Sequence, residues 1–429
     1  MSGERKRQNY PQKASRVRAG DRLARLDELI VDVDQLVAGG DGLARYEGIP
    51  IFVPRTAPGD RVHIRLVARK PDYGRGEVIE VLRPGPGRRE APCPHYEACG
   101  GCDLQHLEDE LQVALKAQAV VETLRRLSGI ERLPQPEVVT GPAWSYRCRA
   151  QLHTEPGVDE VAVGYRARKS SSLVSVRSCP VLVPELETLL PSLPSLLPPG
   201  SPRRIDLLVG DSGALSTAPV VETLPHGPVE ISVDDFRYEL DARCFFQGHR
   251  QLLPRLVRSV IGEWQGETAV DLYSGVGLFS LPLGERYRRV IAVEGDRISA
   301  RYARQNAKRN RSTGLEIVSK AVESWIGSMP NSLDRIVMDP PRAGLTQRAR
   351  QQILAKRPQR ITYVSCHAAA LARDLKTFLP EYRLDTITLL DLFPQTGHME
   401  AVVQLSSIRA SSSDSTSPSS GNRPVDLLE

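Results

Sequence analysis

The sequence predicts a multidomain chain of β and α/β class: a small N-terminal barrel of OB type, a central, mainly β domain with a cysteine cluster, and a C-terminal doubly wound, Rossmann-like sheet. Three observations predict it. Between Leu26 and Pro84, short alternating runs (LIVDV, LARYE, IPIFVP, RVHIRLVA, GEVIEVL) are broken by GGDG, APGD and DYGRG turns, which is the spacing of a small closed barrel. Cys93, Cys99 and Cys102 stand together in the string C-x5-C-G-G-C. From about Phe246 onward, apolar strands (TAVDLYSG, RRVIAVEGD, LEIVSK, DRIVMDPPR, ITYVSC, YRLDTITLLDLF, MEAVVQLS) alternate with polar helical stretches, as in a doubly wound sheet.

Composition sets the outer limits. At 429 residues the chain exceeds one compact core. Its texture divides it into a basic arm (1–22), a barrel (23–84), a central domain (85–245), a sheet domain (246–408) and a tail (409–429). The arm carries Arg5, Lys6, Arg7, Lys13, Arg16 and Arg18 without an apolar period, and the tail is Ser-rich, so both are expected to be disordered. No run of about 18 apolar residues offers a membrane span, and the basic start leads into no apolar signal segment. A cytoplasmic monomer without membrane contact is therefore expected. The formal net charge of +5 permits phosphate contacts without demanding them.

The chemistry-bearing residues fall at predicted strand ends. The segment from Asp271 to Ser280, DLYSGVGLFS, ends a strand and opens a helix, and its glycines let the backbone turn tightly against a ligand. The next strand ends at Glu294, an acid placed to accept both hydroxyls of an adenosine ribose. Gly275 and Gly277 are followed by Leu278, Phe279 and Ser280 instead of a third glycine, which makes a nicotinamide dinucleotide the weaker reading. A further strand ends in Asp339-Pro-Pro-Arg342. The strand ITYVSC ends at Cys366, on the carboxyl edge where open α/β sheets bind ligands. Cys366 reads either as a nucleophile or as a buried strand thiol. Glu400, at the start of the last strand, reads either as a base or as an exposed strand-end acid.

Together the strings D-x-Y-x-G-x-G-x-F-S-L, D-P-P-R-x-G and H-x-E resemble those of the class I S-adenosylmethionine-dependent methyltransferases that act on C5 of RNA uridine. The resemblance covers roughly residues 23 to 406. It implies that Tyr273, Gly275, Glu294 and Asp339, with Gln247 of the string CFFQ, hold the cofactor. It further implies that Cys366 is the covalent nucleophile and Glu400 the base that removes the C5 proton, while His398 shapes the loop. Ser274 stands where the family often has cysteine. Leu278 and His367 stand where many members have asparagine, which opens the question of one polar cofactor contact and of the nucleophile's partner.

The barrel strings GG-D-G-x-A, IFVP and PGD resemble the TRAM domain, an RNA-binding barrel, with Arg61, Arg65, Arg69, Lys70 and Arg75 as a phosphate-facing surface. Four cysteines, Cys93, Cys99, Cys102 and the distant Cys179-Pro, can hold either zinc or a [4Fe–4S] cluster. The string P-C-x5-C-G-G-C resembles the iron–sulfur segment of the same methyltransferase family, which implies a [4Fe–4S] cluster in a structural role. Cys148 and Cys244 read as buried thiols. The implied partner is RNA and not DNA: 23S ribosomal RNA first, because the barrel and the cluster together mostly accompany ribosomal enzymes, and tRNA second. The alternative of a different class is a catalytically silent RNA-binding or assembly protein. The intact pair Cys366 and Glu400 argues against it.

Overall fold

Side chains of the first strand, β1 (Glu28–Leu36), alternate between exposed and buried, as a half-buried strand requires. The computed structural model describes residues 23–408 except 25, 158 and 159; the basic arm and the Ser-rich tail lie outside the described residues. Four more strands, β2 (Asp41–Tyr46), β3 (Ile49–Pro54), β4 (Arg61–Arg69) and β5 (Gly74–Arg83), close the barrel in the order β1-β2-β3-β5-β4. Leu29, Val31, Ile51, Val53, Val62 and Ile64 fill its interior. The barrel arginines are paired within it: Arg61 with Asp32 (3.4 Å), Arg65 with Glu28 (3.6 Å), Arg69 with Asp27 (2.9 Å) and Arg75 with Asp41 (2.8 Å). Exposed pairs of this kind contribute about 0–1 kcal/mol, so Arg61 and Arg65 are held only loosely, whereas the Arg69 guanidinium also donates to the Leu23, Leu26 and Leu66 carbonyls.

The chain forms two compact units, one of residues up to Leu36 with Asp41–Arg88, the other of Val37–Gly40 with everything from Arg89 on. In the second, the cysteine segment leads into a helix, Asp109–Ser128. Asp109 and Glu110 in its first turn and Arg125 and Arg126 in its last complement the helix dipole, and left-handed Gly129 ends it. Strand β6 (Glu137–Val139) follows. An antiparallel sheet of order β11-β10-β7-β8-β9 is then built from β7 (Arg149–Glu155), β8 (Ala162–Arg166), β9 (Leu173–Ser175), β10 (Arg204–Val209) and β11 (Leu215–Ala218), and β12 (Val229–Val233) and β13 (Phe236–Leu240) form a hairpin.

The large sheet comprises β14 (Gly266–Leu272), β15 (Tyr287–Glu294), β16 (Leu315–Ser319), β17 (Arg335–Met338), β18 (Arg360–Ser365), β19 (Tyr382–Leu390) and β20 (Glu400–Ser407), and β6 joins its edge, in the order β16-β15-β14-β17-β18-β20-β19-β6. The first five strands of that order are parallel. The inner strands are mostly buried and read as near-continuous apolar runs instead of alternating ones; every side chain of β17 is buried. β20 runs antiparallel between β18 and β19. The strand order reverses between β14 and β17, which opens a crevice at their carboxyl ends. The cysteine-bearing region is not a separate body from this sheet. Helix Asp109–Ser128 packs on helix Ala368–Phe378, and β6 pairs in parallel with β19. No helix among the described residues is long and apolar enough to cross a membrane.

Candidate active site

The crevice holds a cavity of about 680 Å³ lined by Gln247, Tyr273, Gly275, Glu294, Asp339, Cys366 and Glu400. These seven residues come from positions as far apart as 247 and 400, and each stands at or just beyond a strand end or in the segment before the sheet. Every cofactor-contact and catalytic residue named from the sequence thus faces one space.

The turn after β14 is shaped for close approach. Gly275 has φ of 55° and Gly277 of 96°. A Cβ on Gly275 would meet nothing within 4 Å, so that the backbone is bare toward the cavity. Tyr273, with φ of 62°, adopts the left-handed region without being glycine, a strain that persists only where the surroundings impose it. Its hydroxyl donates to Glu323 at 2.7 Å. Glu294 is turned toward the same loop: one carboxylate oxygen accepts the Gly275 N–H (2.8 Å), the other the Asp296 N–H (2.6 Å). Beneath the turn, burial pushes the Asp271 carboxyl up to about 7, although Ser280 donates a hydrogen bond to it.

At the other end of the cavity, Glu400 is 2% exposed and its Oε1 has no hydrogen-bond partner. Burial first, and then the charge of Asp339, raise its pKa well above the ordinary carboxylate value. Asp339 is raised too, chiefly by burial. Burial pushes the Cys366 thiol up to about 11; Glu400 adds to the shift and the Arg342 guanidinium opposes it. Arg342 also donates to His398 Nε2 at 3.0 Å. Since a guanidinium can only donate, the ring accepts there and is neutral. Burial, seconded by Arg342, holds His398 down to about 4, in keeping with a loop-shaping residue and not a base.

Two of the three departures have structural answers. His367 caps helix Ala368–Phe378, its Nδ1 accepting the Ala370 N–H at 3.2 Å. Leu278 faces the hydrophobic core, and its carbonyl accepts the Tyr238 hydroxyl; the cavity therefore loses no amide at this position. Ser274 is buried, with a hydroxyl that finds no partner. The structure also adds wall residues that sequence reasoning passed over: Arg243, Phe245, Asp296, Ser299 and Phe393. Phe245 is 63% exposed with the Arg149 guanidinium 5.9 Å from its ring centre. Its position two residues before Gln247, in CFFQ, was the available signal.

Cys93, Cys99, Cys102 and Cys179 line a second, smaller cavity with Gln105, Arg147 and Tyr165. Burial raises the Cys93, Cys102 and Cys179 thiols, the last two to about 11 and 12. Among the described residues no group of three or more His, Cys, Asp or Glu side chains is arranged to hold a metal ion. Cys148 and Cys244 are fully buried in the core.

A sheet with this strand order and a glycine turn facing an acid is the architecture of a class I methyltransferase, here with a thiol and a buried carboxyl in its cleft. Residues 220–408 match the tRNA (Uracil-5-)-methyltransferase family and residues 27–79 the TRAM domain. Two curated relatives, each 32% identical, are named 23S rRNA (uracil(1939)-C(5))-methyltransferase RlmD. The one from Pectobacterium atrosepticum aligns over 87% of this chain and 92% of its own, and the one from Enterobacter sp. over 87% and 95%. The crystal structure of Pyrococcus abyssi tRNA (uracil-54, C5)-methyltransferase in complex with S-adenosyl-L-homocysteine superimposes with a TM-score of 0.68 at 25% identity, covering 88% of this chain and all of that one. The chain belongs to the S-adenosylmethionine-dependent RNA uracil-C5 methyltransferase family.

Proposed function

We propose that the protein methylates C5 of a uridine in 23S ribosomal RNA through a bond between Cys366 Sγ and C6 of the base, with Glu400 as the base that takes the C5 proton. The observation that carries this reading is that Cys366 and Glu400 face the same cavity as the glycine turn and Glu294. C5 of uracil is not nucleophilic in the neutral ring. The Cys366 thiol, raised by burial, gives its proton to solvent as its sulfur adds to C6; this places an enolate across C4 and C5, and C5 then takes the methyl group. A cationic ligand in the cavity favours the ionised form of Glu400, raised in the ligand-free protein; its carboxylate removes the surplus proton from C5, and the Cys366 sulfur leaves as the ring is restored.

The residues present fit S-adenosylmethionine, which when bound supplies a methyl group on a positively charged sulfur. Gly275 leaves open space for it and Glu294 suits the ribose hydroxyls. Gln247 Oε1 and Glu400 Oε1 are buried without partners. Asp339 and Glu400 repel one another there, and a cationic ligand relieves that repulsion. Phe245, exposed at the wall, offers a stacking face to a base flipped out of its helix, which the chemistry requires. The loosely paired Arg61 and Arg65 can exchange carboxylates for phosphates.

The full-length similarity to RlmD enzymes favours ribosomal RNA, while the resemblance to the P. abyssi enzyme keeps tRNA as the second reading. Mass-spectrometric mapping of 5-methyluridine in a deletion strain decides. Loss of one site from 23S rRNA is expected, and loss from tRNA alone would reverse the choice of substrate.

The four cysteines fit a [4Fe–4S] cluster better than a single ion. They share one cavity, their spacing shows one C-x2-C knuckle where a zinc ribbon usually has two, and Arg147 in the wall suits an anionic group. The cluster would be held by Cys93, Cys99, Cys102 and Cys179 and has no part in the methyl transfer. Anaerobically purified protein is expected to be brown, with about four irons per chain. Stoichiometric zinc without iron would refute this assignment.

A further inference from the structure

We propose that Asp103, the residue directly after Cys102, is a positioning residue for Glu400, so that the cysteine-bearing turn braces the catalytic loop. The proposal rests on the reading of Glu400 as the base. The chain between Leu390 and Glu400 brings Phe393 and His398 to the cavity wall. In its middle, Gln395 is fully buried with φ of 66°, a left-handed backbone that a non-glycine residue keeps only under external constraint.

That constraint comes from two segments. The N–H groups of Asp103 and Leu104 both donate to the Gln395 carbonyl, at 2.8 and 3.0 Å. From helix Asp109–Ser128, Gln112 accepts the Gln395 backbone N–H (3.2 Å) and donates to its side-chain oxygen (2.8 Å), and Asp109 accepts from its amide nitrogen (2.7 Å). Closer to the base, the Gly397 N–H donates to Asp103 Oδ2 at 3.1 Å, three residues before Glu400. The other oxygen of Asp103 is taken by the Arg168 guanidinium, which fixes the carboxylate's orientation. A second tie starts in the cysteine cavity itself. Arg147 lies in its wall, and its neighbour Tyr146 donates to the Pro394 carbonyl at 3.0 Å. The loop's first residue, Asp391, is held by the buried Lys116 ammonium at 2.6 Å.

The turn that begins at Cys99 thus grips the loop at Gln395 and Gly397, and the Asp103 carboxylate is its grip nearest Glu400. Without it, the stretch from Gly397 to Met399 is left with the Gly39 N–H on the Gly397 carbonyl (3.1 Å) and Arg342 on His398, and the angle at which Glu400 meets C5 of the bound base is set less firmly. Proton removal from C5 is the step that suffers, because the glycine turn, Glu294 and Cys366 stand on other strands.

The test is Asp103→Ala in metal-loaded full-length protein, with Asp103→Asn as the variant that keeps an acceptor for Gly397 but loses the charge facing Arg168. On misplacement of the base, kcat is expected to fall on the order of ten- to a hundredfold, with KM for S-adenosylmethionine and iron per chain unchanged. The fraction of enzyme caught as a methylated covalent complex with RNA should rise above that of the wild type. Hydrogen exchange should quicken in the peptide covering residues 393–399. Asp103→Asn, which keeps the acceptor for Gly397, is expected to retain most of the turnover, and if Asp103→Ala does not fold, Asp103→Leu, of similar size and without an acceptor, is read in its place. Folded Asp103→Ala or Asp103→Leu protein with wild-type kcat and no added covalent complex would overturn the proposal. Glu400→Gln, run in parallel, separates the two claims: no trapped complex there defeats the base assignment, whereas trapping there without trapping in Asp103→Ala or Asp103→Leu defeats only the brace.

Discussion

Cys366→Ala is expected to lower turnover by roughly four orders of magnitude or more, while S-adenosylmethionine binds with nearly wild-type affinity. A nucleophile that forms the covalent intermediate has no substitute at its position, and removal of such a group leaves only the contribution of binding and positioning. The loss should be confined to chemistry. Cys366 stands just beyond β18 and is only partly buried, so its truncation opens little cavity. The groups assigned to the cofactor, Gly275, Glu294 and Gln247, belong to other segments. Calorimetric titration with S-adenosylhomocysteine, beside a methyl-transfer assay on undermodified 23S rRNA, separates affinity from turnover. A variant with turnover near wild type would end the covalent reading.

Glu400→Gln is expected to halt the reaction one step later. The amide cannot take the C5 proton, so the methylated base stays joined to the enzyme and runs as a shifted band on a denaturing gel. Adding Cys366→Ala should abolish that band. The same substitution should raise the stability of the ligand-free protein at neutral pH. The folded-state pKa of Glu400 lies above its unfolded value. The unfolded chain therefore releases that proton first as pH rises, and folding loses stability from the ordinary carboxylate range up to the folded value. A glutamine of the same shape has no proton to release and does not repel Asp339. Thermal melts at pH 4 and pH 7.5 should show the gain only at the higher pH. The wild type thus keeps a destabilising buried acid that the proton transfer uses.

The strands that carry the site were legible because parallel strands buried on both faces leave continuous apolar runs, and because Glu294, Asp339, Cys366 and Glu400 each mark the end or start of such a run. The closed barrel was legible from alternation and turns. What local sequence did not carry is what tertiary packing decides. β6 is three residues long, too short to announce that it joins the sheet beside β19. Lys116 sits at a helix position that reads as solvated, yet it is buried against Asp391, 275 residues away. Gln395 shows no sign in its neighbours of a left-handed backbone, since the partners that impose it come from residues 103 to 112. Leu278 reads as a lost polar contact only until the turn after β14 is seen to point it into the core. Phe393 carries no local sign of its place, and only the fold brings it to the cavity wall.

The central claim is the bond between Cys366 and the base, and one measurement meets it directly. Glu400→Gln protein is incubated with undermodified 23S rRNA and methyl-labelled S-adenosylmethionine, digested with protease and nuclease, and the labelled peptide–nucleotide conjugate is sequenced by mass spectrometry. A single conjugate is expected, a methylated uridine on the peptide that contains Cys366. Label on a peptide carrying another of the cysteines, or methylated RNA released with no protein attached, would contradict it.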